Sequence, residues 1–201
     1  NDMKRKTIGV LGGMGPESTA ELLVWITRVT SAVREQDHFR VIIDSNPKIP
    51  NRTDALLSGE LQPVIDGLVE TAENLRRAGA EVIGIPCNTA HAFLPDLRKA
   101  VATPFVDMVE ETARRAGELF ESGAAVGLLA TDGTLRTRLY HEALERRGLV
   151  GIGPPTPGIQ NAVMDALDAV KLHGASDDAY RVLAVAVRDL ANEGVTALIA
   201  G

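Results

Sequence analysis

The feature that most restricts the fold of this chain is an internal repeat. Residues 8–15 and 126–133 are each a short apolar run that ends in a loop containing glycine, and residues 79–86 align in the same way with residues 194–201. An amphipathic helical pattern follows each member of the first pair. Two halves that resemble each other in this way are predicted to be two copies of one supersecondary unit.

The alternation of strands and helices sets the class of each copy. It predicts parallel strands joined by right-handed helical crossovers, so we expect an α/β fold of two pseudo-symmetric, doubly wound parallel-sheet units. We place the first unit at residues 4–102 and the second at residues 103–201. Ligands of such sheets bind outside the carboxyl ends of the strands, and two copies that face each other would bring these ends into one cleft.

Composition limits the partners of the chain. Hydrophobic residues make up 45% of its 201 residues but aromatic residues only 3%, so the core is predicted to be aliphatic. A net charge of -6 and the lack of a long basic run argue against a nucleic-acid surface. No apolar segment reaches the roughly 18 residues of a membrane span. One cysteine cannot form an internal disulfide, which favours a reducing, cytoplasmic compartment.

The only cysteine of the sequence, Cys87, marks the first candidate site. It follows the apolar run 81–86, so we expect it at the carboxyl end of a strand, beside the hydrogen-bonding groups of Asn88 and Thr89. A helix that begins there would present unpaired N–H groups and its positive dipole end, which favour a reactive thiolate. The alternative is a buried structural cysteine, and position alone does not separate the two. His91, roughly one turn further on, is either an acid, base or charge partner of the thiol or a hydrogen-bonded histidine at a helix start.

A glycine-rich loop after the first strand is the second candidate. The glycines of residues 12–16 (Gly-Gly-Met-Gly-Pro) let backbone N–H groups approach a ligand, and Pro16 opens a helix. The loop lacks the G-x-G-x-x-G pattern of dinucleotide sites, which favours a small anion as its ligand. The helix that follows is predicted to bury one face, formed by Leu22, Ile26, Val29 and Val33.

The polar loop after the second predicted strand, residues 44–53, contains Arg52. A guanidinium group can bind a carboxylate through two parallel hydrogen bonds, so Arg52 is a candidate for carboxylate recognition; the alternative is a solvated surface arginine. The next helix has the clearest amphipathic pattern of the chain, with a stripe at Leu61, Val64, Ile65, Leu68, Ala72 and Leu75.

The second half is predicted to be richer in helix. A short strand is expected over residues 103–108. Helices are expected over residues 109–120, 158–172 and 176–193, and a further one is expected to carry Leu135, Leu139 and Leu144.

Several short motifs together resemble the aspartate/glutamate racemase family, whose members are independent of pyridoxal phosphate. They follow the family's order and spacing over nearly the whole chain: Gly-Gly-Met-Gly-Pro at 12–16, Asn-Pro at 46–47, Ile-Pro-Asn-Arg-Thr at 49–53, Pro-Cys-Asn-Thr-Ala-His at 86–91, Leu-Ala-Thr at 129–131, Gly-Thr at 133–134 and Leu-Ile-Ala-Gly at 198–201. The resemblance implies two pseudo-symmetric domains with a substrate cleft between them, a homodimer, and catalysis without a cofactor or a metal.

The resemblance also implies two cysteines on opposite sides of the substrate's α-carbon. One removes the α-proton as a thiolate, and the other delivers a proton to the opposite face. Cys87 matches the first, and the second is expected just after Gly201, so the second unit is expected to lack its natural C-terminal end. Arg52 and Lys171 match basic residues that hold substrate carboxylates. The substrate-contacting loops of the family match Met14, Asn51, Asn88, Thr89 and Thr131, with Asn51 at a position where aspartate is common.

The resulting prediction is an amino-acid racemase that acts on aspartate or glutamate. Removing an α-proton without an electron-sink cofactor requires charge stabilisation at the carboxylate, which Arg52, Lys171 and loop N–H groups would supply. Two alternatives stay open: a single-thiol relative, such as a decarboxylase or maleate-type isomerase, and a non-catalytic binder of acidic amino acids. The two substrates differ by one methylene, which a pocket discriminates by only about 1–3 kcal/mol.

Overall fold

The computed structural model describes residues 5–201, and the chain divides into two compact units. The first unit ends at Asp107 and the second begins at Met108. The predicted first unit starts at residue 4, which lies outside the described residues. Each unit contains a three-stranded parallel sheet with helices packed on it, which confirms the predicted α/β class.

The first unit is built on one central strand. Its elements are β1 (Ile8–Gly12), α1 (Pro16–Val29), a 3-10 helix (Glu35–Asp37), β2 (Val41–Ser45), α2 (Arg52–Ser58), α3 (Gln62–Arg77), β3 (Val82–Gly84), a second 3-10 helix (Thr89–Phe93) and α4 (Leu94–Ala100). β1 lies between β2 and β3 and pairs in parallel with both. The loops that follow the three strands therefore leave the sheet at the same edge, where ligands of parallel sheets bind.

The second unit has the same strand arrangement. Its elements are α5 (Met108–Leu119), β4 (Ala125–Leu129), α6 (Asp132–Arg136), α7 (Leu139–Glu145), β5 (Val150–Ile152), α8 (Pro157–His173), α9 (Asp177–Asn192) and β6 (Ala197–Ala200). The strand order is β5-β4-β6, and both pairings are parallel.

The pairing registers support the internal repeat. Ile8 of β1 is paired with Val82 of β3, and Val126 of β4 is paired with Ala197 of β6. The sequence alignment places Ile8 on Val126 and Val82 on Ala197. The two units therefore share strand order and register, so the repeat is structural as well as sequential.

Residues 103–107 belong to the first unit, whereas the predicted boundary lies between 102 and 103. The predicted strand over this segment is reduced to an isolated parallel bridge between Phe105 and Ile83. Ile83 N–H donates to the Pro104 carbonyl at 2.9 Å, and Val106 N–H donates to the Ile83 carbonyl at 2.8 Å. These bonds extend the first sheet beyond β3 and hold the segment in that unit.

The helix predicted to carry Leu135, Leu139 and Leu144 is broken in two. α6 ends at Arg136 and α7 begins at Leu139, with Arg138 between them in the left-handed region at a φ of 55°. The Thr137 hydroxyl donates to the Gly133 carbonyl at 2.7 Å. The break lies at Arg138, because a residue with a left-handed backbone cannot continue a right-handed helix.

The core of the first unit is aliphatic, as predicted. The α3 stripe is buried at Val64, Leu68, Ala72 and Leu75. Leu61 precedes the first turn of α3 and is 37% exposed, because the chain there has not yet entered the helix. Burial of each large aliphatic side chain contributes about 1.5–3 kcal/mol to the stability of the unit.

The predicted burial of the α1 face is wrong. Leu22 and Ile26 are half-buried, but Val29 is 73% exposed and Val33 is 96% exposed. α1 ends at Val29, so Val33 lies beyond the helix whose face it was predicted to extend. A helical period identifies a common face, but it does not establish what covers that face.

Two apolar clusters lie on β4 in the second unit. Val126 and Leu128 pack with residues of α5 and α7, whereas Leu129 packs with residues of α8 and α9. The alternation follows from the two-residue period of a strand, which points successive side chains to opposite faces. Across residues 5–201, the structure has no helix with the length and apolar character that crossing a bilayer would require.

We predict that the turn after β1 requires glycine at position 13. Gly13 has a φ of +92°, and a Cβ there would lie 2.4 Å from the backbone carbonyl carbon of Asn46. Gly13→Ala should therefore lower the free energy of unfolding by clearly more than Gly59→Ala, measured by urea denaturation. Gly59 is the matched control because its φ is +84° with no atom within 4 Å of a built Cβ. A left-handed φ alone costs about 1–2 kcal/mol. Equal losses would show that the approach to Asn46 is unimportant.

Candidate active-site loops

The thiol of Cys87 lies just past the carboxyl end of β3, as predicted. β3 ends at Gly84, and Cys87 is half-buried, with one side against the core of the first unit. Its N–H donates to the Ile85 carbonyl at 2.8 Å. Its carbonyl lies 2.9 Å from Nδ1 of His91. The thiol is therefore partly accessible, and hydrogen bonds on both sides of Cys87 restrain its backbone.

His91 is a buried neutral imidazole. It is 3% exposed, and burial holds its pKa below the ordinary value for histidine. The opposing influences are the nearby carbonyl groups of Cys87, Val106 and Asn88 and the charge of Asp107, which favour the protonated ring less strongly than burial disfavours it. A carbonyl oxygen only accepts, so the bond to Cys87 forms in the tautomer in which Nδ1 carries the hydrogen.

The element after the thiol is a 3-10 helix of five residues, Thr89–Phe93, rather than the start of a long α-helix. Asn88 precedes it in helical backbone conformation and is half-buried, and Thr89 is 5% exposed. This 3-10 helix runs directly into α4 at Leu94, so the helical segment after the thiol begins as a 3-10 turn.

The glycine-rich loop is closed by a threonine hydroxyl. Gly13 N–H donates to Thr19 Oγ1 at 2.8 Å, and the same hydroxyl donates to the Gly15 carbonyl at 3.0 Å. The Met14 side chain is 6% exposed and belongs to the apolar core of the first unit. The Gly13 N–H is thus already engaged within the loop, and Met14 can meet a ligand through its backbone more readily than through its side chain.

Arg52 begins α2 and folds back onto its own loop. Its Nη1 donates to the carbonyls of Pro50 at 2.9 Å and Ile49 at 3.2 Å. Its Nε is buried and has no hydrogen-bond partner among the described residues. Asn51 is the N-cap, and its Oδ1 accepts from the N–H of Thr53 at 2.9 Å. These contacts hold the guanidinium near the loop, since one of its nitrogens satisfies two carbonyls at once.

α2 also connects the Arg52 loop to the thiol loop. The structure packs α2 against the 3-10 helix Thr89–Phe93, which follows Cys87 within the first unit. Both loops leave the same edge of the sheet, after β2 and after β3. The first unit therefore gathers a thiol, a guanidinium group and the glycine-rich loop at one edge, as the parallel arrangement predicts.

In the second unit, Thr131 is the N-cap of α6, directly after β4. It is 7% exposed, and its Oγ1 accepts from the Thr134 N–H at 3.3 Å and lies 3.1 Å from the Thr134 hydroxyl. The predicted position at a strand end is correct. The structure shows the hydroxyl engaged in a helix cap.

Asp132 and Gln160 are polar residues at this edge that the sequence did not single out. They line a depression of about 400 Å³ together with Pro154, Pro155, Thr156, Pro157 and Asn161. Gln160 Nε2 donates to Asp132 Oδ1 at 2.7 Å and to the Ala130 carbonyl at 3.1 Å. Its Oε1 is buried without a hydrogen-bond partner among the described residues. The sequence signal available for these two residues was the proline-rich loop after β5, the second strand of the second unit.

Lys171 lies in the last turn of α8, and its Nζ pairs with Asp168 at 3.0 Å. α8 begins at the carboxyl edge of the second sheet, where Gln160 Nε2 donates to the Ala130 carbonyl just past β4. Lys171 lies further along the same helix, roughly 16 Å from Gln160 along the helix axis. The contact at this edge is therefore made by the start of α8.

Within residues 5–201, no group of three or more histidine, cysteine, aspartate and glutamate residues is arranged to hold a metal ion. The candidate loops present a thiol, cationic side chains, hydroxyl groups and backbone N–H groups.

This combination of fold and loops defines a two-unit parallel α/β protein with a thiol at a strand end. A family model described as Asp/Glu/Hydantoin racemase matches residues 11–201. The chain therefore belongs to the Asp/Glu/hydantoin racemase family, and the predicted family resemblance is confirmed.

Individual relatives agree with this assignment. The broad specificity amino-acid racemase RacX of Bacillus subtilis is 29% identical over 147 residues, which cover 70% of this chain. A glutamate racemase of Geobacter metallireducens is 35% identical over 79 residues, or 39% of this chain. The matched regions span only 61% and 29% of the lengths of these two curated relatives.

Solved structures share the fold. An aspartate racemase of Picrophilus torridus has a TM-score of 0.80 at 26% identity, covering 96% of this chain and 79% of its own. An aspartate racemase homologue of Pyrococcus horikoshii has a TM-score of 0.74 at 22% identity, covering 98% of this chain and 85% of its own, which indicates the fold alone.

We predict that Asn51 serves the α2 N-terminus equally well as aspartate. Asparagine and aspartate are similar N-caps, so Asn51→Asp should leave the free energy of unfolding unchanged, whereas Asn51→Ala should lower it by about 1 kcal/mol. Urea denaturation of the two variants side by side is the test. Equal destabilisation by both substitutions would mean that Oδ1 capping is not what stabilises this turn.

Proposed function

We propose that the protein is an amino-acid racemase that interconverts L- and D-aspartate or glutamate without a cofactor. The observation that carries the proposal is the half-buried Cys87 thiol at the carboxyl end of β3, beside the Arg52 loop, in a chain of the Asp/Glu/hydantoin racemase family. A thiol at such a strand end is placed where ligands of parallel sheets bind.

The proposed reaction is a two-base α-proton transfer. The Cys87 thiolate takes the α-proton, the electron pair stays on the substrate as a carbanion stabilised through its carboxylate, and a second acid returns a proton to the opposite face. We propose a second thiol for that role, at the position after β6 that corresponds to Cys87 after β3, because β6 occupies the place of β3 in the repeat. After one turnover the two groups have exchanged protonation states.

Carboxylate recognition is proposed for Arg52 and Lys171. Arg52 follows the carboxyl end of β2, and Lys171 lies on the helix that begins at the carboxyl edge of the second sheet. Charge that develops on a substrate carboxylate is stabilised by preorganised donors. Asn88, Thr89, Thr131, Asn51 and the Met14 backbone are proposed to complete the substrate contacts. The homodimer and the cytoplasmic location stay predictions, which sedimentation of the purified protein and fractionation of the cells that produce it would test.

Replacement of the thiol should separate binding from chemistry. In the full-length protein, Cys87→Ala should abolish exchange of the α-hydrogen of aspartate or glutamate in deuterated water while leaving ligand affinity unchanged. Proton NMR measures the exchange, and calorimetry measures the affinity.

Each other outcome identifies a different protein. A wild type that exchanges no acidic or neutral amino acid would overturn the proposed racemase. Decarboxylation of a substituted malonate or isomerisation of maleate by the wild type would identify the single-thiol alternative. Ligand binding with no turnover of any of these compounds would identify a binding protein.

Arg52→Lys should raise KM for the dicarboxylate substrate by about tenfold or more, because a lysine cannot hold two loop carbonyls and a carboxylate in one plane. Steady-state kinetics with both aspartate and glutamate provide the measurement. Lys48→Ala is the matched control, since Lys48 is an exposed cation of the same loop. If both variants raise KM equally, the effect is general charge attraction and Arg52 has no specific role.

A further inference from the structure

We propose that His91 is a positioning residue for Cys87, because its imidazole holds the carbonyl group of the residue that carries the thiol. The inference rests on the proposed role of Cys87 as the α-proton base. It assigns His91 no contact with substrate and no proton transfer. Its contribution is to fix the direction in which the thiol leaves the backbone.

The hydrogen bonds around Cys87 restrict its backbone on both sides. On the amino side, the Cys87 N–H donates to the Ile85 carbonyl at 2.8 Å. On the carboxyl side, His91 Nδ1 donates to the Cys87 carbonyl at 2.9 Å. With both peptide groups held, the side chain keeps rotation about χ1 as its main freedom. Loss of the imidazole bond would release one of the two restraints.

The imidazole is itself anchored by packing. His91 is 3% exposed in the second 3-10 helix, between Ala90, which is fully buried, and Phe93, which is 2% exposed. The next helix continues the same core, since Leu94 is 1% exposed and Leu97 is fully buried. Buried side chains occupy few rotamers, so the ring transmits the rigidity of the core to the thiol loop.

The charged surroundings of His91 agree with a neutral donor. Asp107 is a charged side chain whose field favours the protonated ring, though less strongly than burial disfavours it, so the pKa of His91 stays lowered. Asp107 is itself paired with Arg98 at 3.2 Å. Burial lowers the pKa of His91, so the ring is neutral around and above pH 7, and the bond to the Cys87 carbonyl uses the tautomer with its hydrogen on Nδ1. A neutral ring holds the Cys87 carbonyl without adding a charge beside the thiol.

The test compares three substitutions that differ in where they place a donor. In His91→Asn, the amide nitrogen occupies the position of Nδ1 and can still reach the Cys87 carbonyl. In His91→Gln, the amide nitrogen lies one bond further out, near the position of Nε2. In His91→Leu, no donor remains. Circular dichroism and urea denaturation establish that each variant is folded at the assay temperature.

The expected result is a split between kcat and KM. His91→Leu and His91→Gln should lower kcat by up to about 100-fold, the effect of displacing a reacting group by roughly 1 Å, with KM unchanged. His91→Asn should restore kcat to the wild-type level. If His91 acts on stability alone, the losses of kcat should instead follow the losses in the free energy of unfolding. His91→Asn should then lose activity as His91→Gln does, because both substitutions remove the ring and its packing.

A second readout does not depend on activity. Cys87 is the only cysteine in the 201-residue sequence, so selective labelling gives one Cβ resonance in this chain. Wild type and His91→Asn should give a single Cys87 resonance, assigned by its loss in Cys87→Ala, and His91→Leu should give several Cys87 resonances or a broadened one, as χ1 becomes heterogeneous.

The outcomes separate this inference from the proposed function. Wild-type activity with unchanged kcat in His91→Leu and His91→Gln would overturn the positioning role and leave the racemase intact. Loss of kcat in His91→Asn equal to that in His91→Leu would also overturn it, because the donor position would then be irrelevant. If the wild type exchanges no α-hydrogen, the proposed function is wrong. A single sharp Cys87 resonance in His91→Leu would then rule out the positioning role independently.

Discussion

The parallel pairing of β1 with both β2 and β3 is the constraint on which the first unit depends. It sends three successive loops out at one edge, and the Asn46 N–H then ties two of them together by donating to the Gly12 carbonyl at 3.2 Å. Asn46 Nδ2 donates in turn to the Thr71 hydroxyl on α3 at 3.1 Å. This close approach is possible because Gly13 has no side chain. The turn that brings the loops together therefore leaves little room for variation in the residues that form it.

The second unit repeats the backbone arrangement but closes its first loop differently. In the first unit, the hydroxyl of Thr19, inside α1, accepts the N–H of Gly13 across the loop. In the alignment of the halves, Gly13 corresponds to Thr131, which caps α6 with its own side chain. A threonine hydroxyl thus stabilises both turns, but Thr19 acts from inside α1 and Thr131 acts from the residue before α6. The two copies share strand register and have diverged in the polar groups presented at the carboxyl edge.

These differences explain how far the sequence alone predicts the molecule. The parallel α/β class and the buried stripe of α3 follow from short-range patterns, and so does the position of Cys87 after β3. The exposure of Val29 was not predictable, because periodicity describes one helix and burial depends on what packs against it. The break at Arg138 was missed because the left-handed backbone of this residue interrupts an otherwise regular apolar pattern, which does not reveal it.

The candidate site also divides into features that the sequence predicts and features that only the folded chain determines. Residue types identified Arg52 and Lys171 as cations and Cys87 as a thiol, because those properties belong to the side chain itself. The hydrogen bond from His91 to the Cys87 carbonyl and the pair of Gln160 with Asp132 arise from the folded chain, so no sequence spacing specifies them. The sequence predicts which chemistry is available, and the fold decides which groups are held and by what.

The two cations differ in what a substrate carboxylate would have to displace. Arg52 Nη1 contacts neutral carbonyls of its own loop, and no carboxylate pairs with it among the described residues, so its positive charge is held in place without being neutralised. Lys171 pairs with Asp168, but both side chains are exposed, and exposed pairs of this kind contribute only about 0–1 kcal/mol. A carboxylate would therefore meet a preorganised charge at Arg52, whereas at Lys171 it would have to replace a weakly held partner. The Lys171 side chain keeps several rotatable bonds, while the guanidinium of Arg52 is held by the carbonyls of its own loop.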